Sequence, residues 1–447
     1  MRPSTTSTLA ALCACSADPA PDSPASSVVQ EIAMFRGGPT HLGVYETEGV
    51  EQERTVLWKF DAGDRVFSSP TVTGGRAYFG SDDGALYAVD IETGRQVWRY
   101  PTDGKVRSSP AVAGGLVYFG SYDGSFYALD AQSGELAWRF DTTGERRWQA
   151  ANLDGMTPAG EVHQDPWDFF LSSSVFANGV VYFGTGEGML YALDAETGVQ
   201  RWAFATADTI HSSPAVADGM VYVGNMESRL YAVNAETSEA RWHYQAGIDT
   251  NYYNQHGLQS SPAVANGRVY IGGRDGGLHV VDAHTGERVW KFDTNGSWFL
   301  GSAAVASDHV YIGTSDTNML RAIDTTTGDA VFGDALGGYI YSSPALVGDT
   351  LYIGTCAGVL FAVDAISGDI RWQFRTAASV EGRHGILTPD GELDSAKLFA
   401  GEYTTQNAAA AVERFLDLGA FLSSPVVRDG VLYIGSADGH LYALASR

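Results

Sequence analysis

Cysteine and lysine are both scarce in this sequence. The three cysteines stand at positions 13, 15 and 356, and two lie close to the N-terminus, so we expect no framework of intrachain disulfides. No apolar run reaches the length of about 18 residues that a membrane-spanning helix requires. Only four residues are lysine, and 53 acidic side chains face 28 basic ones, a formal net charge of −25. This acidity excludes nucleic acid binding through a general phosphate-neutralising surface, and it fits either a salt-rich setting or a solubilising role.

Apolar residues and glycine are plentiful. Hydrophobic residues make up 44% of the chain and aromatic residues 12%, which is enough for a large core. The 53 glycines indicate many tight turns.

Residues 1–30 are rich in Ser, Thr, Ala and Pro and read as a segment outside the fold. The stretch around Leu12, Ala14 and Cys15 resembles a bacterial lipoprotein signal, which implies lipidation of Cys15. The residues after it read as a flexible tether. The alternative is that these N-terminal residues are disordered and contain no targeting signal.

From residue 68 onward one pattern of about 40 residues recurs eight times. It runs Ser-Ser-Pro, alternating apolar residues, Val-Tyr-x-Gly, Asp-Gly, Leu-Tyr-Ala-x-Asp, Thr-Gly and Trp-x-Phe. The copies begin at Ser68, Ser108, Ser172, Ser212, Ser260, Gly301, Ser342 and Ser423.

Each copy predicts four short strands, in the first copy at about 69–73, 76–81, 85–90 and 95–100. Asp83-Gly84 predicts a hairpin turn and Thr93-Gly94 a turn with positive φ. Since one such sheet cannot bury both of its faces, the copies predict an all-β, eight-bladed β-propeller over residues 31–447. The last copy ends after its third strand, so we expect residues 56–60 to supply the fourth and close the ring.

The segment from Ala88 to Trp98 recurs at 128–138, 192–202, 232–242, 280–290, 322–332 and 362–372. It resembles the tryptophan-docking motif of PQQ-type propellers, which include the quinoprotein dehydrogenases and the BamB family of outer-membrane assembly lipoproteins. The resemblance covers residues 34–447 and implies that each tryptophan packs between neighbouring blades. Residues 34–39 also resemble the lead-in of this family, which implies that they pack on the ring.

Three copies are lengthened, by insertions at 142–171, 245–259 and 375–422. All three follow a fourth strand, so we expect them on one face of the propeller, around the opening of the central channel, here called the mouth. We also expect a helix near 405–418 whose face with Ala408, Val412, Phe415 and Leu416 docks on the ring. Because loops on a rigid scaffold often carry function, this face is the candidate binding surface.

The polar and aromatic residues of these connections are candidate ligand contacts for a polar small molecule, a glycan or an extended peptide. The alternative is that the aromatic residues only pack the loops onto the ring. The candidates are His163, Asp165, Trp167, Asp168, Asn251, Tyr252, Tyr253, His256, Trp298, Tyr341, Arg383 and His384.

Enzyme chemistry finds little support in the sequence. The quinoprotein dehydrogenases use a Ca²⁺ or related ion, a catalytic Asp, a Trp under the quinone and a bridge between adjacent cysteines, and this chain has no adjacent cysteines. No His or Cys pair has metal-binding spacing, so we nominate no metal site and no catalytic residue. Ser-Ser-Pro recurs in most copies, which indicates a structural role near the axis.

We therefore expect a non-catalytic, monomeric propeller that acts as a binding or scaffolding module through the face with the insertions. The resemblance implies an exported protein, periplasmic or lipid-anchored, and a protein partner in the cell envelope such as a membrane barrel assembly component. The alternative is a PQQ-dependent dehydrogenase-like enzyme with PQQ and Ca²⁺, or a small-molecule receptor, using the mouth.

Overall fold

Seven of the sequence copies each form a sheet of four antiparallel strands, and the last copy forms three strands that a strand from before the first copy completes, so that eight four-stranded sheets make the ring. The structure is a computed structural model that describes Met1 and residues 32–50, 54–142, 144–151, 153, 160–247, 256–402 and 404–446. Of the helices in these ranges, none combines the length and apolar character needed to span a bilayer.

The strands follow the order of the chain. The first is β1 (Arg54–Asp61), and blade one consists of β2 (Thr71–Thr73), β3 (Arg76–Ser81), β4 (Ala85–Asp90) and β5 (Gln96–Pro101). Blade two consists of β6 (Ala111–Ala113), β7 (Leu116–Gly120), β8 (Ser125–Asp130) and β9 (Leu136–Asp141), and the first insertion adds a hairpin of β10 (Gln149–Ala151) and β11 (Val162–Gln164). Blade three consists of β12 (Val175–Ala177), β13 (Val180–Gly184), β14 (Met189–Asp194) and β15 (Gln200–Ala205).

The remaining blades repeat this order. Blade four consists of β16 (Ala215–Ala217), β17 (Met220–Gly224), β18 (Arg229–Asn234) and β19 (Ala240–Gln245), and blade five of β20 (Ala263–Ala265), β21 (Arg268–Gly272), β22 (Gly277–Asp282) and β23 (Arg288–Asp293). Blade six consists of β24 (Ala304–Val305), β25 (His309–Gly313), β26 (Met319–Asp324) and β27 (Ala330–Ala335), and blade seven of β28 (Ala345–Val347), β29 (Thr350–Gly354), β30 (Val359–Asp364) and β31 (Ile370–Arg375). Blade eight consists of β32 (Val426–Arg428), β33 (Val431–Gly435) and β34 (His440–Ser446), joined by β1.

The repeated turns have the conformations that the sequence predicts. Gly84, between β3 and β4, has a φ of 81°, which suits glycine in a hairpin turn. Between β4 and β5 the Asp90 carboxylate accepts hydrogen bonds from the Thr93 backbone N–H at 2.8 Å and from its hydroxyl at 2.7 Å. These local bonds hold the second turn on the face opposite the insertions.

The N-terminal strand closes the ring, as predicted. β1 pairs antiparallel with β34, with Trp58 opposite Ala443 and Phe60 opposite Leu441. The strand is longer than the predicted 56–60, since it begins at Arg54. Pairing both ends of the chain in one sheet removes an exposed edge from blade eight. The prediction of an eight-bladed, all-β propeller is therefore confirmed.

Hydrogen bonds between serines join the blades at the axis. In each blade the backbone N–H of one serine donates to the hydroxyl of the equivalent serine in the next blade, as from Ser69 to Ser109 at 3.0 Å. The chain of bonds closes from Ser424 back to Ser69 at 2.9 Å. These residues, here called the axial serines, are Ser69, Ser109, Ser173, Ser213, Ser261, Ser302, Ser343 and Ser424. The serine pairs are therefore structural.

Indole groups join the blades further out. The Trp98 indole N–H donates to the Ala131 carbonyl of the next blade at 3.2 Å, and the same contact is made by Trp58, Trp138, Trp202, Trp242 and Trp290. A Cβ added to Gly134 would lie 2.7 Å from the Trp98 ring, so this turn requires glycine. In blade eight the fourth strand is β1, so no equivalent turn joins the third strand to the fourth, and the Trp372 indole donates instead to the Val50 carbonyl at 3.0 Å.

Residues 33–47 lie across the ring on the face opposite the insertions. They bond to successive inner strands, with the Val216 N–H donating to Pro39 at 2.7 Å and the Leu346 N–H to Gly43 at 2.9 Å. The buried Arg36 guanidinium donates to the carbonyls of Ala303 at 2.5 Å and Pro344 at 3.3 Å. This segment closes that end of the channel.

The third insertion contains the helices α1 (Ala377–Glu381), α2 (Ser395–Leu398) and α3 (Thr405–Leu416). The predicted helix is confirmed as α3, which buries Ala408, Ala411, Val412, Phe415 and Leu416. Its N-terminus is capped by Thr404, whose hydroxyl accepts from the Asn407 N–H at 3.1 Å. Arg65, just before blade one, forms an ion pair with Glu413 of α3 at 2.6 Å. The helix is thereby fixed to the ring on the face with the insertions.

Candidate functional site

Aromatic side chains from several connections fill the mouth. Phe415 of α3 stacks on Trp167 of the first insertion, with ring centroids 6.1 Å apart and planes at 8°. It also contacts Phe169, Tyr339 and Tyr341 edge-on. These contacts place parts of the first and third insertions on the same face. They form a lid of interlocked rings over the channel.

The residue immediately before each serine pair forms a layer beneath this lid. These pre-serine residues are Phe67, Arg107, Leu171, His211, Gln259, Leu300, Tyr341 and Leu422. All but Leu422 line a cavity on the axis together with Phe35, Phe170 and seven of the axial serines. The cavity has a volume of about 30 Å³, which is room for one or two water molecules.

A buried charge network stands at one side of the channel. The His211 ring contacts Asp168 through Nδ1 at 2.7 Å and Glu145 through Nε2 at 3.2 Å. Burial by itself lowers the pKa of His211, but the two carboxylates raise it to about 10. Burial likewise raises the pKa of Asp168, but the His211 charge and hydrogen bonds bring it below its ordinary value. His211 is therefore a cation at neutral pH, with neither nitrogen free to act as a base.

Asp168 extends the network to blade five. Its Oδ1 also accepts from the Gln259 amide at 2.9 Å, and the Gln259 oxygen accepts from the Arg274 guanidinium at 2.6 Å. Arg274 forms a fully buried ion pair with Asp165 at 2.6 Å. Two carboxylates of the first insertion are thus held by side chains of two different blades.

Arg274 contacts two indole rings. Its Cζ is 5.6 Å from the ring centroid of Trp148 and 5.2 Å from that of Trp298. Both distances are in the range of cation–π contacts. Both indoles therefore contact the same buried guanidinium.

A second charged cluster also reaches the axial cavity, through Arg107. The buried Asp82 carboxylate pairs with Arg107 at 2.6 Å and with Lys105 at 2.8 Å. The Arg107 Cζ lies 4.6 Å from the centroid of the Phe67 ring. Arg107 thus enters the pre-serine layer as a paired, desolvated cation.

The structure separates the predicted contact residues into three groups. Asp165 and Asp168 belong to the buried network, while Trp167, Trp298 and Tyr341 are buried in or beneath the lid. His163 and His256 are half-buried, with the His256 ring 5.3 Å from that of Trp148, and His384 bonds Asp417 at 3.0 Å. Arg383 is exposed. Asn251, Tyr252, Tyr253 and the proposed lipidation site Cys15 lie outside the described residues.

These contacts show packing for the buried aromatic residues, the alternative left open by the sequence. Any binding role for them stays a prediction. The residues available to a partner on this face without rearrangement are those on its outer surface, including Arg383 and the exposed Val162 and Val380.

Sequence reasoning missed the partners of the two aspartates, namely Glu145, His211, Gln259 and Arg274. His211 and Gln259 could have been found, because both stand at the pre-serine position. Arg274 stands one residue before the Asp-Gly-type hairpin turn, where no other copy has a basic residue. These two positions in the repeat mark the side chains that point to the mouth.

A quinone cofactor does not fit the mouth as it stands. Cofactor pockets have volumes of about 300 Å³ or more, whereas the axial cavity has about 30 Å³. The indoles of Trp148 and Trp298 both contact the Arg274 guanidinium, which is paired with Asp165. Within the described ranges, no group of three or more His, Cys, Asp or Glu side chains is placed to hold a metal ion.

Solved structures share this fold. BamB from Moraxella catarrhalis matches with a TM-score of 0.63 at 16% identity, over 88% of this chain and 99% of that one. A quinohemoprotein alcohol dehydrogenase from Pseudomonas putida HK5 matches with a TM-score of 0.65 at 15% identity, over 91% of this chain and 79% of that one. A europium-containing methanol dehydrogenase matches with a TM-score of 0.61 at 15% identity, over 92% and 98%. At these identities the likeness concerns the fold.

Among curated protein sequences, none matches this chain. A family model does match, and it covers residues 48–146, 139–252 and 249–447. Together these segments span nearly the whole propeller, including the N-terminal strand that closes it. The chain therefore belongs to the family described as outer membrane protein assembly factor BamB.

Proposed function

We propose that this protein is a non-catalytic binding or scaffolding module of the cell envelope that engages a protein partner through the face with the insertions. The partner class that the family suggests is a membrane-embedded barrel assembly protein. The chain would be exported, and anchored by a lipid on Cys15 or free in the periplasm.

The observation that carries this proposal is the closed mouth. Phe415, Trp167 and Tyr341 fill the opening, and the remaining cavity of about 30 Å³ excludes an organic substrate or a quinone. His211 and Arg274, the buried cations at this end, are held by the protein's own carboxylates. Chemistry at the mouth would require the lid to open, whereas binding on its outer surface would not.

The outer surface of the lid offers apolar side chains to a partner. Val380 of α1 is 71% exposed and Val162 of β11 is 61% exposed. Both belong to insertions on the mouth face, which also carries the exposed Arg383 and Glu413. Apolar residues with charged neighbours form the usual centre and rim of a transient protein interface.

Site-specific crosslinking in the source organism tests the proposal. A photoreactive side chain is placed at Val380 or Val162, and the matched control is Ile366, an aliphatic residue that is 75% exposed on the opposite face. We expect the first two positions to crosslink to one membrane barrel assembly protein and Ile366 to give no such product. Crosslinks to that protein from Ile366 alone, or from none of the three, would contradict the proposal.

The rival function, a quinoprotein dehydrogenase, is favoured by the fold likeness to two dehydrogenases. Titration of the purified protein with PQQ and Ca²⁺ distinguishes the two functions. We expect no shift in cofactor absorbance and no dye reduction with alcohols. A saturable shift in cofactor absorbance accompanied by dye reduction would overturn the scaffold proposal and would show a dehydrogenase.

A further inference from the structure

Seven of the eight axial serines line the cavity beneath the lid. Each hydroxyl oxygen accepts a backbone N–H from the preceding blade, so its own proton is left over. In the described part of the chain, none of these protons is donated to a protein acceptor. All eight residues are at least nine-tenths buried, and the one with the greatest exposure, Ser424, is 6% exposed. Unpaired buried donors of this kind require a partner that is not part of the protein.

Tyr341 adds a donor of a different type. Its side chain lines the same cavity, is 2% exposed and, within the described ranges, finds no acceptor for its hydroxyl. Tyrosine hydroxyls usually have a hydrogen-bond partner when they are buried. Tyr341 is therefore a further cavity-lining residue whose hydroxyl has no protein acceptor in the described ranges.

The charged side chains that line the cavity are cations. Arg107 and His211 line it, while their carboxylate partners Asp82, Asp168 and Glu145 do not. The cavity thus presents positive charge and hydroxyl donors, a combination that favours an anion. Phe35, from the segment of residues 33–47, also lines the cavity and supplies an apolar wall.

The size of the cavity limits the anion. A volume of about 30 Å³ accommodates one monatomic ion or about two water molecules, and it excludes sulfate, phosphate and carboxylates. From the donors, the charge and the volume together, we propose that the propeller axis holds a buried site for a chloride-sized halide anion, bound by axial serine hydroxyls and Tyr341. The site is independent of the partner-binding function proposed above.

Bromide provides the test, because it replaces chloride and scatters X-rays anomalously. The protein is purified and crystallised with sodium bromide as the only halide. We expect an anomalous peak on the axis, between the axial serines and Tyr341. Axial density without an anomalous signal would show water and would overturn the proposal.

Stability measurements give a second readout. At constant ionic strength, replacing sodium gluconate with sodium chloride should raise the melting temperature in a saturable way, because a ligand of the folded state stabilises it by mass action. Tyr341→Phe should raise the midpoint of this chloride dependence about tenfold, the effect of one lost hydrogen bond to an anion.

The matched control is Tyr339→Phe. Tyr339 belongs to the same aromatic cluster, but its hydroxyl contacts Ser395 at 3.4 Å and it does not line the cavity. We expect this variant to keep the wild-type midpoint. Equal melting temperatures of the wild type in the two salts would overturn the proposal, and so would equal midpoints for both variants. If Tyr341→Phe fails to fold, the anomalous signal in the bromide crystals of the wild type is the test of the proposal.

Discussion

Raising the pH from about 6.5 to about 9.5 is expected to lower the free energy of unfolding by about 3.5 kcal/mol through His211 alone. In the folded protein, burial lowers the pKa of His211, but the carboxylates of Asp168 and Glu145 have the larger effect and raise this pKa to about 10. In the unfolded chain it returns to its ordinary value of about 6.5. The charged imidazole thus stabilises the fold fully below the unfolded pKa, and this stabilisation is lost as the pH rises through the folded pKa.

The magnitude follows from proton counting. Between the two pKa values the folded state holds one proton more than the unfolded state, so each pH unit lowers the free energy of unfolding by about 1.4 kcal/mol. The working range stops below about 10 because tyrosines of the unfolded chain ionise above it. Many buried tyrosines here, such as Tyr122, have pKa values raised by burial and would add their own loss of stability there.

Urea unfolding midpoints at three pH values across this range, for the wild type and for His211→Gln, measure the effect. Groups that do not contact His211 contribute equally to both proteins, so the difference between the two curves isolates the imidazole together with its partners Asp168 and Glu145. The control is His284→Gln, at an exposed histidine in a turn of blade five, where it contacts Arg241 at 3.3 Å. This variant should follow the wild type.

Parallel curves for the wild type and His211→Gln would refute the reasoning. The proton would then not reside on an imidazole between two carboxylates, and the network would not be the charged assembly that the distances indicate. A loss of stability toward acid that is specific to the wild type would carry the opposite sign and would refute it as well.

Three further predictions concern stability, each measured by chemical unfolding. Trp167→Ala should lower the free energy of unfolding by about 3–5 kcal/mol, because a buried ring stacked on the lid helix is lost; a change below about 1 kcal/mol would place this residue on a free surface. Gly134→Ala should destabilise more than Gly114→Ala, since both have positive φ but only Gly134 has an indole within 3 Å of the added Cβ; equal losses would show that the indole contact is unimportant. Arg274→Met should lower stability by about 3–5 kcal/mol by leaving Asp165 buried and unpaired, and Asp165→Asn in addition should restore part of it; additive losses would contradict the ion pair.

The repeat made the ring predictable. Eight copies of one pattern give eight sheets, and a last copy without its fourth strand, together with an orphan Trp-x-Phe at residues 58–60, predicts β1 pairing with β34. The serine pair could be assigned to structure because a nucleophile is not repeated in every blade. The local sequence pattern was sufficient to predict the ring because each blade contacts mainly its neighbours.

The interior of the mouth was less predictable because it depends on contacts between distant segments. Asp168 was selected as a polar residue on a loop, but its contacts come from residues 43 and 91 positions further along the chain. His211 was not selected as a candidate, since a lone histidine in a repeat is usually solvated or packed. Only the ring geometry brings its imidazole beside two carboxylates.

The aromatic residues illustrate the same limit. Trp167, Trp298 and Tyr341 stand on connections, where a large side chain is equally suited to contact a ligand or to pack a loop. The structure places them beneath α3, and α3 was itself predicted from the periodicity of its apolar face. A helix with a buried face needs a surface to bury it against, and on this side of the ring that surface is the mouth.

An eight-bladed ring leaves space on its axis that something must fill, because a buried void loses contacts on every side that lines it. In this chain residues 33–47 close one end, and Phe415 with its aromatic neighbours closes the other. What remains is a cavity lined by donors and cations and too small for an organic cofactor. In the described part of the chain, the first and third insertions therefore fill the opening of the channel with side chains. This packing is the reason for proposing binding to a macromolecule, rather than chemistry at the axis, as the function.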